Sequence, residues 1–114
     1  MEEKPNFEIT YTQEAIDFLS SLDDKVKSKI TYNIGKSRYH IDKELFKKLE
    51  NSEIWEFRTL YNKTAYRLFA FWDTRSNRLV IATHGIVKKT QKTPKKEIEK
   101  AEAIRREYFK RGNR

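Results

Sequence analysis

The sequence predicts an α+β domain: a small antiparallel sheet with two N-terminal helices packed on one face, and a C-terminal helix. Three observations carry this. Apolar residues recur every three or four positions in the first third of the chain and again near its end, the mark of amphipathic helices. Between those stretches the apolar residues alternate by two, the mark of half-buried strands. Only three Gly and two Pro punctuate 114 residues, so most of the chain should be regular structure. The predicted order is β-α-α-β-β-β-α, in one domain spanning 1–114.

Phe7-Glu-Ile-Thr-Tyr11 alternates apolar and polar residues and reads as the first strand. Thr12 is placed to cap a helix carrying Ala15, Ile16, Leu19 and Leu22. Asp23 and Asp24 suit the start of a second helix, where acids complement the dipole. Val26, Ile30 and Ile34 give it a narrow apolar stripe between solvated lysines, and Gly35 weakens it without having to end it. Leu45, Phe46 and Leu49 suggest a further short helical turn. The period then changes. Glu53–Leu60, Tyr66–Trp72 and Leu79–Val87 read as three strands of an antiparallel meander. The last helix should open at Pro94 with Thr93 as its cap, and place Ile98, Ala101, Ile104 and Tyr108 on one face.

Composition excludes several classes of function. Cysteine is absent, which removes disulfides and thiolate metal sites and suits a reducing, cytoplasmic setting. No apolar run approaches the roughly 20 residues of a spanning helix, and the N-terminus lacks a signal-peptide pattern. His40 and His84 are the only histidines and lie far apart, so no metal or other cofactor is expected. Twenty-five Lys and Arg against 17 Asp and Glu give a net charge of +8, which favours a polyanionic partner.

If Asn62-Lys63 centres the first hairpin, Arg58 falls directly opposite Arg67. If the second hairpin closes at Asp73 and Arg78, Arg67 falls opposite His84. One sheet face then carries Trp55, Phe57, Leu68, Ala70, Trp72, Leu79 and Ile81 as core. The other carries Ile54, Phe69, Phe71, Val80 and Ala82 at one end, in need of a cover by the last helix or a partner protein, and Arg58, Arg67 and His84 in a row at the other. Opposed arginines repel. Either the row serves an anion, or an acid such as Glu56 neutralises it in an ordinary surface network. Beyond the last strand, Lys88, Lys89, Lys92, Lys95 and Lys96 form a run with no acid among them. Lys95 and Lys96 sit in the first turn of the helix, where the dipole disfavours cations and free N–H groups attract anions. The run is either a solubilising loop or part of an RNA-binding surface. Tyr61, Tyr66 and Tyr108 could stack on bases, although most tyrosines pack.

The segments Leu49-Glu-Asn-Ser-Glu-Ile-Trp-Glu-Phe-Arg58, Tyr66-Arg-Leu-Phe69 and His84-Gly-Ile-Val-Lys-Lys-Thr-Gln-Lys-Thr-Pro94, with Ala101 beyond, resemble the RelE/ParE toxin superfamily. They look most like its HigB-like, phage-derived branch. The likeness covers nearly the whole chain and includes the element order. It implies a toxin of a type II toxin–antitoxin module, a ribosome-dependent endoribonuclease that cuts mRNA in the A site. The implied partners are the ribosome, mRNA and a cognate antitoxin, often with a helix-turn-helix domain. By motif position Arg58 and Arg67 match two site cations, and Lys88 or Lys89 the basic position after the last strand. The tyrosine that RelE-type enzymes place near the last helix is missing from Thr93-Pro-Lys-Lys-Glu-Ile98, so Lys92 or His84 would have to fill the acid role, or the chemistry would lean on positioning alone. Cleavage without metal would use the ribose 2′-OH as nucleophile. The arginines would stabilise the phosphorane, and a lysine or His84 would move protons. The other readings are a gyrase-poisoning toxin of the ParE type, a non-catalytic nucleic-acid-binding module and an inactive toxin.

Overall fold

A computed structural model describes residues 3–75, 78–88 and 92–112. The elements are β1 (Glu8–Tyr11), α1 (Gln13–Ser20), α2 (Asp24–Tyr39), β2 (Phe46–Lys48), β3 (Trp55–Tyr61), β4 (Thr64–Asp73), β5 (Leu79–Lys88) and α3 (Lys95–Gly112). They form the expected α+β fold around one five-stranded sheet of order β1-β5-β4-β3-β2. The pairings from β2 to β5 are antiparallel, whereas β1 joins β5 in parallel, with Glu8 opposite Leu79. No turn connects those two strands, so no local signal fixes their direction.

Thr12 caps α1 as predicted, its hydroxyl accepting from the Ala15 N–H at 3.1 Å. Helix α2 runs through Gly35 without a break. The segment around Phe46 departs from expectation. A single helical turn does form, with the Leu45 and Phe46 N–H groups both donating to the Asp42 carbonyl. Phe46 itself enters strand β2 opposite Phe57, their rings stacked 4.1 Å apart. Burial of that aromatic pair outweighs the local helical spacing.

The first hairpin turns through Asn62 and Lys63, both at positive φ, as a two-residue turn between twisted strands requires. Tyr61 pairs with Thr64 and Arg58 with Arg67, as expected. The β4–β5 register differs from expectation by one residue at the hairpin, where Asp73 faces Leu79. A β-bulge adds a second offset, because Phe69 faces His84 while Ala70 faces Ala82, leaving Thr83 as the extra residue. A one-residue slip exchanges the two faces. Val80 and Ala82 therefore belong to the core under α1 and α2, and Leu79 and Ile81 to the other face, the reverse of the sequence reading.

Two cores result. One packs Ala15, Leu19, Val26, Ile30 and Ile34 of the first two helices against Phe46, Phe57, Leu68 and Ala70 of the sheet. The other is covered by α3, whose Ile98, Ala101, Ile104 and Tyr108 pack on Ile54, Phe69, Phe71 and Ile81. The Tyr108 hydroxyl also donates to Asp73 at 2.6 Å. Burial pushes the Asp73 carboxyl up, but the Tyr108 hydrogen bond and Arg75 more than offset it, holding its pKa at about 2. Helix α3 is thereby fastened near its C-terminal end and leaves one end of this sheet face open.

Candidate nucleic-acid interface

The open end carries Arg58 and Arg67 as ladder neighbours on β3 and β4. Glu56, two residues before Arg58, shares their face because side chains alternate along a strand. Its Oε2 lies 3.5 Å from Arg58 Nε and 3.6 Å from Arg67 Nε. Glu56 and Arg67 are buried and Arg58 is half-buried. The carboxylate thus supports the arginine pair from beneath. At such separations and a partly screened surface dielectric, each attraction is worth about 4–5 kcal/mol before desolvation, enough to offset the repulsion between two guanidinium groups. Neither arginine Nε makes a hydrogen bond, so these contacts are ionic rather than directional.

Lys88, at the end of β5, stands on the same face opposite Ala65. Its Nζ donates to the Thr93 hydroxyl at 3.3 Å, and that hydroxyl donates to Glu56 Oε1 at 3.0 Å. Burial, followed by repulsion from Arg67, lowers the Lys88 pKa, with Arg58 and Lys47 adding to the effect and Glu56 opposing it. Arg67 is lowered too, mainly by burial, but from so high a starting point that it stays charged. Arg58, Arg67 and Lys88 outnumber Glu56 by three charges to one, so the cluster keeps an excess of positive charge. A merely self-neutralising surface network would not.

Two grooves meet at Arg58. One, of about 460 Å³, runs past Lys29, Lys36, Lys63, Arg67 and Lys88, with Glu44 as the single acid in its lining among the described residues. The second, of about 1100 Å³, runs between the β2 region and α3 past Lys47, Lys48, Lys92 and Lys95, with Glu50, Glu99 and Glu102 also in its lining. Lys92 and Lys95 are exposed there. Lys96 is exposed in the same turn of α3 but lines neither groove. Lys89 lies outside the described residues.

His84 does not join the row. The hairpin offset and the bulge together place Ile86 opposite Arg67, and His84 lies buried beside Phe69. Its Nε2 is 3.0 Å from Glu97 in the first turn of α3, and its Nδ1 is 3.1 Å from the Thr83 hydroxyl. Burial lowers its pKa, against the opposing pull of Glu97, so it is neutral at pH 7. Thr93 is also placed differently from expectation. Rather than capping α3, which begins at Lys95, its hydroxyl bridges Lys88 and Glu56. The sequence offered one signal for Glu56, its two-residue spacing from Arg58, and none for Thr93. Tyr61 and Tyr66 pack against the first core, and Tyr108 holds Asp73. Among the described residues, no group of three or more His, Asp or Glu is arranged to hold a metal, and no helix is long and apolar enough to cross a membrane.

The sequence profile of the phage-derived Gp49-like proteins (DUF891) matches residues 17–106. The chain belongs to that family. No curated protein matches the sequence. Among solved structures, the fold is similar to that of a mutant E. coli toxin RelE in the free state, with TM-score 0.59, 12% identity and coverage of 87% of this chain and 96% of that one. It is also similar to a chain of the Mycobacterium tuberculosis toxin–antitoxin complex RelBE2, with TM-score 0.57, 15% identity and coverage of 78% and 98%. A chain of the intact E. coli RelBE toxin–antitoxin complex gives TM-score 0.53 at 13% identity, covering 75% and 99%. The Gp49-like chain therefore has the RelE fold, as its motifs led one to expect. At such identities this likeness extends to the backbone and not to the side chains of the site.

Proposed function

We propose that this protein is the toxin of a type II toxin–antitoxin module and acts in the cytoplasm as a ribosome-dependent endoribonuclease on mRNA. The observation that carries the reading is the Arg58–Arg67–Lys88 cluster, with its excess positive charge, set over Glu56 where a basic groove meets a second groove of mixed charge. Membership in a phage-derived family supports it, as does a fold shared with chains of toxin–antitoxin complexes. The partners in this reading are a cognate antitoxin, the ribosome and mRNA.

Cleavage needs no metal. The ribose 2′-oxygen attacks the adjacent phosphorus, the bond from phosphorus to the 5′-oxygen breaks, and the products carry a 2′,3′-cyclic phosphate and a 5′-hydroxyl. Arg67 and Arg58 hold the phosphate oxygens and stabilise the charge that gathers on them. In this reading Glu56, whose carboxylate lies 3.5 Å from Arg58 Nε and 3.6 Å from Arg67 Nε, takes the 2′-OH proton. Lys88, whose pKa is lowered toward the working range, gives a proton to the 5′-oxygen. Lys92 and Lys95, in the second groove, bind flanking RNA together with Lys96 and Lys89. His84 acts from below by holding α3. Each proton-moving group contributes about 10²–10⁴-fold, so free RNA is a poor substrate and placement by the ribosome supplies much of the rate.

Primer extension on mRNA from cells expressing the chain tests this, with a translation-blocked message as control. The expected result is cutting inside translated message, lost when translation is blocked, and abolished together with growth arrest by Arg67→Ala. An Arg67→Ala protein that remained fully toxic would overturn the site assignment. Growth arrest with intact mRNA and broken DNA would replace the reading with gyrase poisoning. RNA binding without cutting would leave only a binding module.

A further inference from the structure

Thr93 touches both ends of the proposed proton-moving pair, and no motif reading gives it that position. It precedes Pro94, whose carbonyl accepts the Glu97 N–H at 3.0 Å, so it is fixed to the first turn of α3. That turn is in turn fixed to the sheet by the His84–Glu97 contact at 3.0 Å. Behind His84 stands the bulge residue Thr83, wholly buried, whose carbonyl accepts from the Thr12 hydroxyl at 2.6 Å. A continuous set of contacts therefore runs from the bulge in β5, through an imidazole and the opening of α3, to one hydroxyl above Glu56.

We infer that Thr93 is the positioning residue of the site: its hydroxyl accepts from the Lys88 ammonium and donates to the Glu56 carboxylate, setting the acid and the base at a fixed separation. The inference rests on the nuclease reading for its catalytic consequence and on the geometry alone for the bridge. A hydroxyl suits this place because it can accept and donate at once. The bridge holds Lys88 against repulsion from Arg67, Arg58 and Lys47, the cations facing it from β4, β3 and β2. Without the hydroxyl, the ammonium loses an acceptor while those cations stay, so its pKa should fall further. Glu56 Oε1 would also lose its donor and its orientation.

Thr93→Val removes the hydroxyl at nearly constant shape, and Thr93→Ser keeps it. On ribosomes programmed with a defined message, Thr93→Val should lower kcat by about 10- to 100-fold, the scale of a misplaced catalytic group. KM should change little. The alkaline limb of the kcat profile should move to lower pH, and Thr93→Ser should restore both. A second readout does not depend on cleavage. The Lys88 side-chain amine, assigned by NMR from the signal lost in Lys88→Met, should titrate at lower pH in Thr93→Val than in the wild type and Thr93→Ser. Unchanged kcat and an unchanged Lys88 titration in a folded Thr93→Val protein would overturn the inference. If the wild type cuts no mRNA but the Lys88 titration still shifts, the bridge stands and the nuclease reading falls.

Discussion

His84 shows how a buried side chain with a titratable ring can serve the site without entering it. Its ring lies against Phe69 and meets Glu97 and Thr83, with Lys100 and Glu14 contributing charge from nearby. The neutral ring donates from Nε2 to the Glu97 carboxylate, and the Thr83 hydroxyl shares its single proton between Nδ1 at 3.1 Å and the Phe69 carbonyl at 3.3 Å. Because burial lowers its pKa below the usual 6.5, the unfolded chain takes up a proton before the folded chain does. Stability is therefore full above the unfolded value and is lost as pH falls through 6.5 toward the lowered folded value. Asp73, at about 2, loses its contribution only well below that window, so the two effects separate. In urea melts between pH 7.5 and 5.5, the wild-type midpoint should fall with pH, and His84→Gln should remove much of the fall. Equal slopes for the two proteins would mean that His84 is not held neutral beneath α3. The same residue shows a limit of strand-pattern reading. A histidine near two arginines in sequence suggests a catalytic base, and it is the hairpin offset together with the bulge at Thr83 that carries it past Arg67 to Phe69.

Elements were legible where their signals are local. The Asn62-Lys63 turn sets the β3–β4 register, and with it the opposed arginines, because a two-residue turn allows only one pairing. The amphipathic stripe of α3 made it one of two candidate covers for the second core, and α3 is the one that packs there. What local pattern does not contain is partner choice at a distance: the parallel pairing of β1 with β5, the aromatic stack that makes Phe46 a strand residue, and the bulge that offsets β5. The candidate site divides the same way. Arg58 and Arg67 follow from a hairpin, whereas Thr93 reaches Glu56 only because α3 docks. Gly85 belongs to the second class. A Cβ there would lie 2.3 Å from the Phe18 ring of α1, closer than any real contact, so the glycine lets α1 sit flush on β5. Gly85→Ala should cost about 1–3 kcal/mol by overpacking. In a double-mutant cycle, Phe18→Leu should recover part of that loss, and simple additivity of the two changes would show that α1 does not press on β5 at this point.

At the scale of the whole molecule, the excess charge is distributed unevenly, and this gives the basic groove a measurable signature. A net charge of +8 alone would draw the protein to any polyanion. The groove past Arg67 concentrates Lys29, Lys36 and Lys63 beside the site with Glu44 as its one acid among the described residues, whereas Lys4 and Lys110 are exposed outside both grooves. A single strand lying in that groove would displace counterions in proportion to the phosphates neutralised, about 0.7 in the logarithmic salt slope for each. We expect the affinity for a 2′-O-methylated single strand, which lacks the attacking hydroxyl and cannot be cut, to fall steeply with salt. Replacing Lys29, Lys36 or Lys63 by Gln should each reduce the slope by about 0.7, whereas the same change at Lys4 or Lys110 should leave it in place. Fluorescence anisotropy across a salt series measures these slopes directly. Equal reductions from all five changes would mean that RNA is attracted by total charge and follows no track. A reduction confined to the groove lysines would place the strand across Arg67 and Lys88, where the cleavage chemistry requires it.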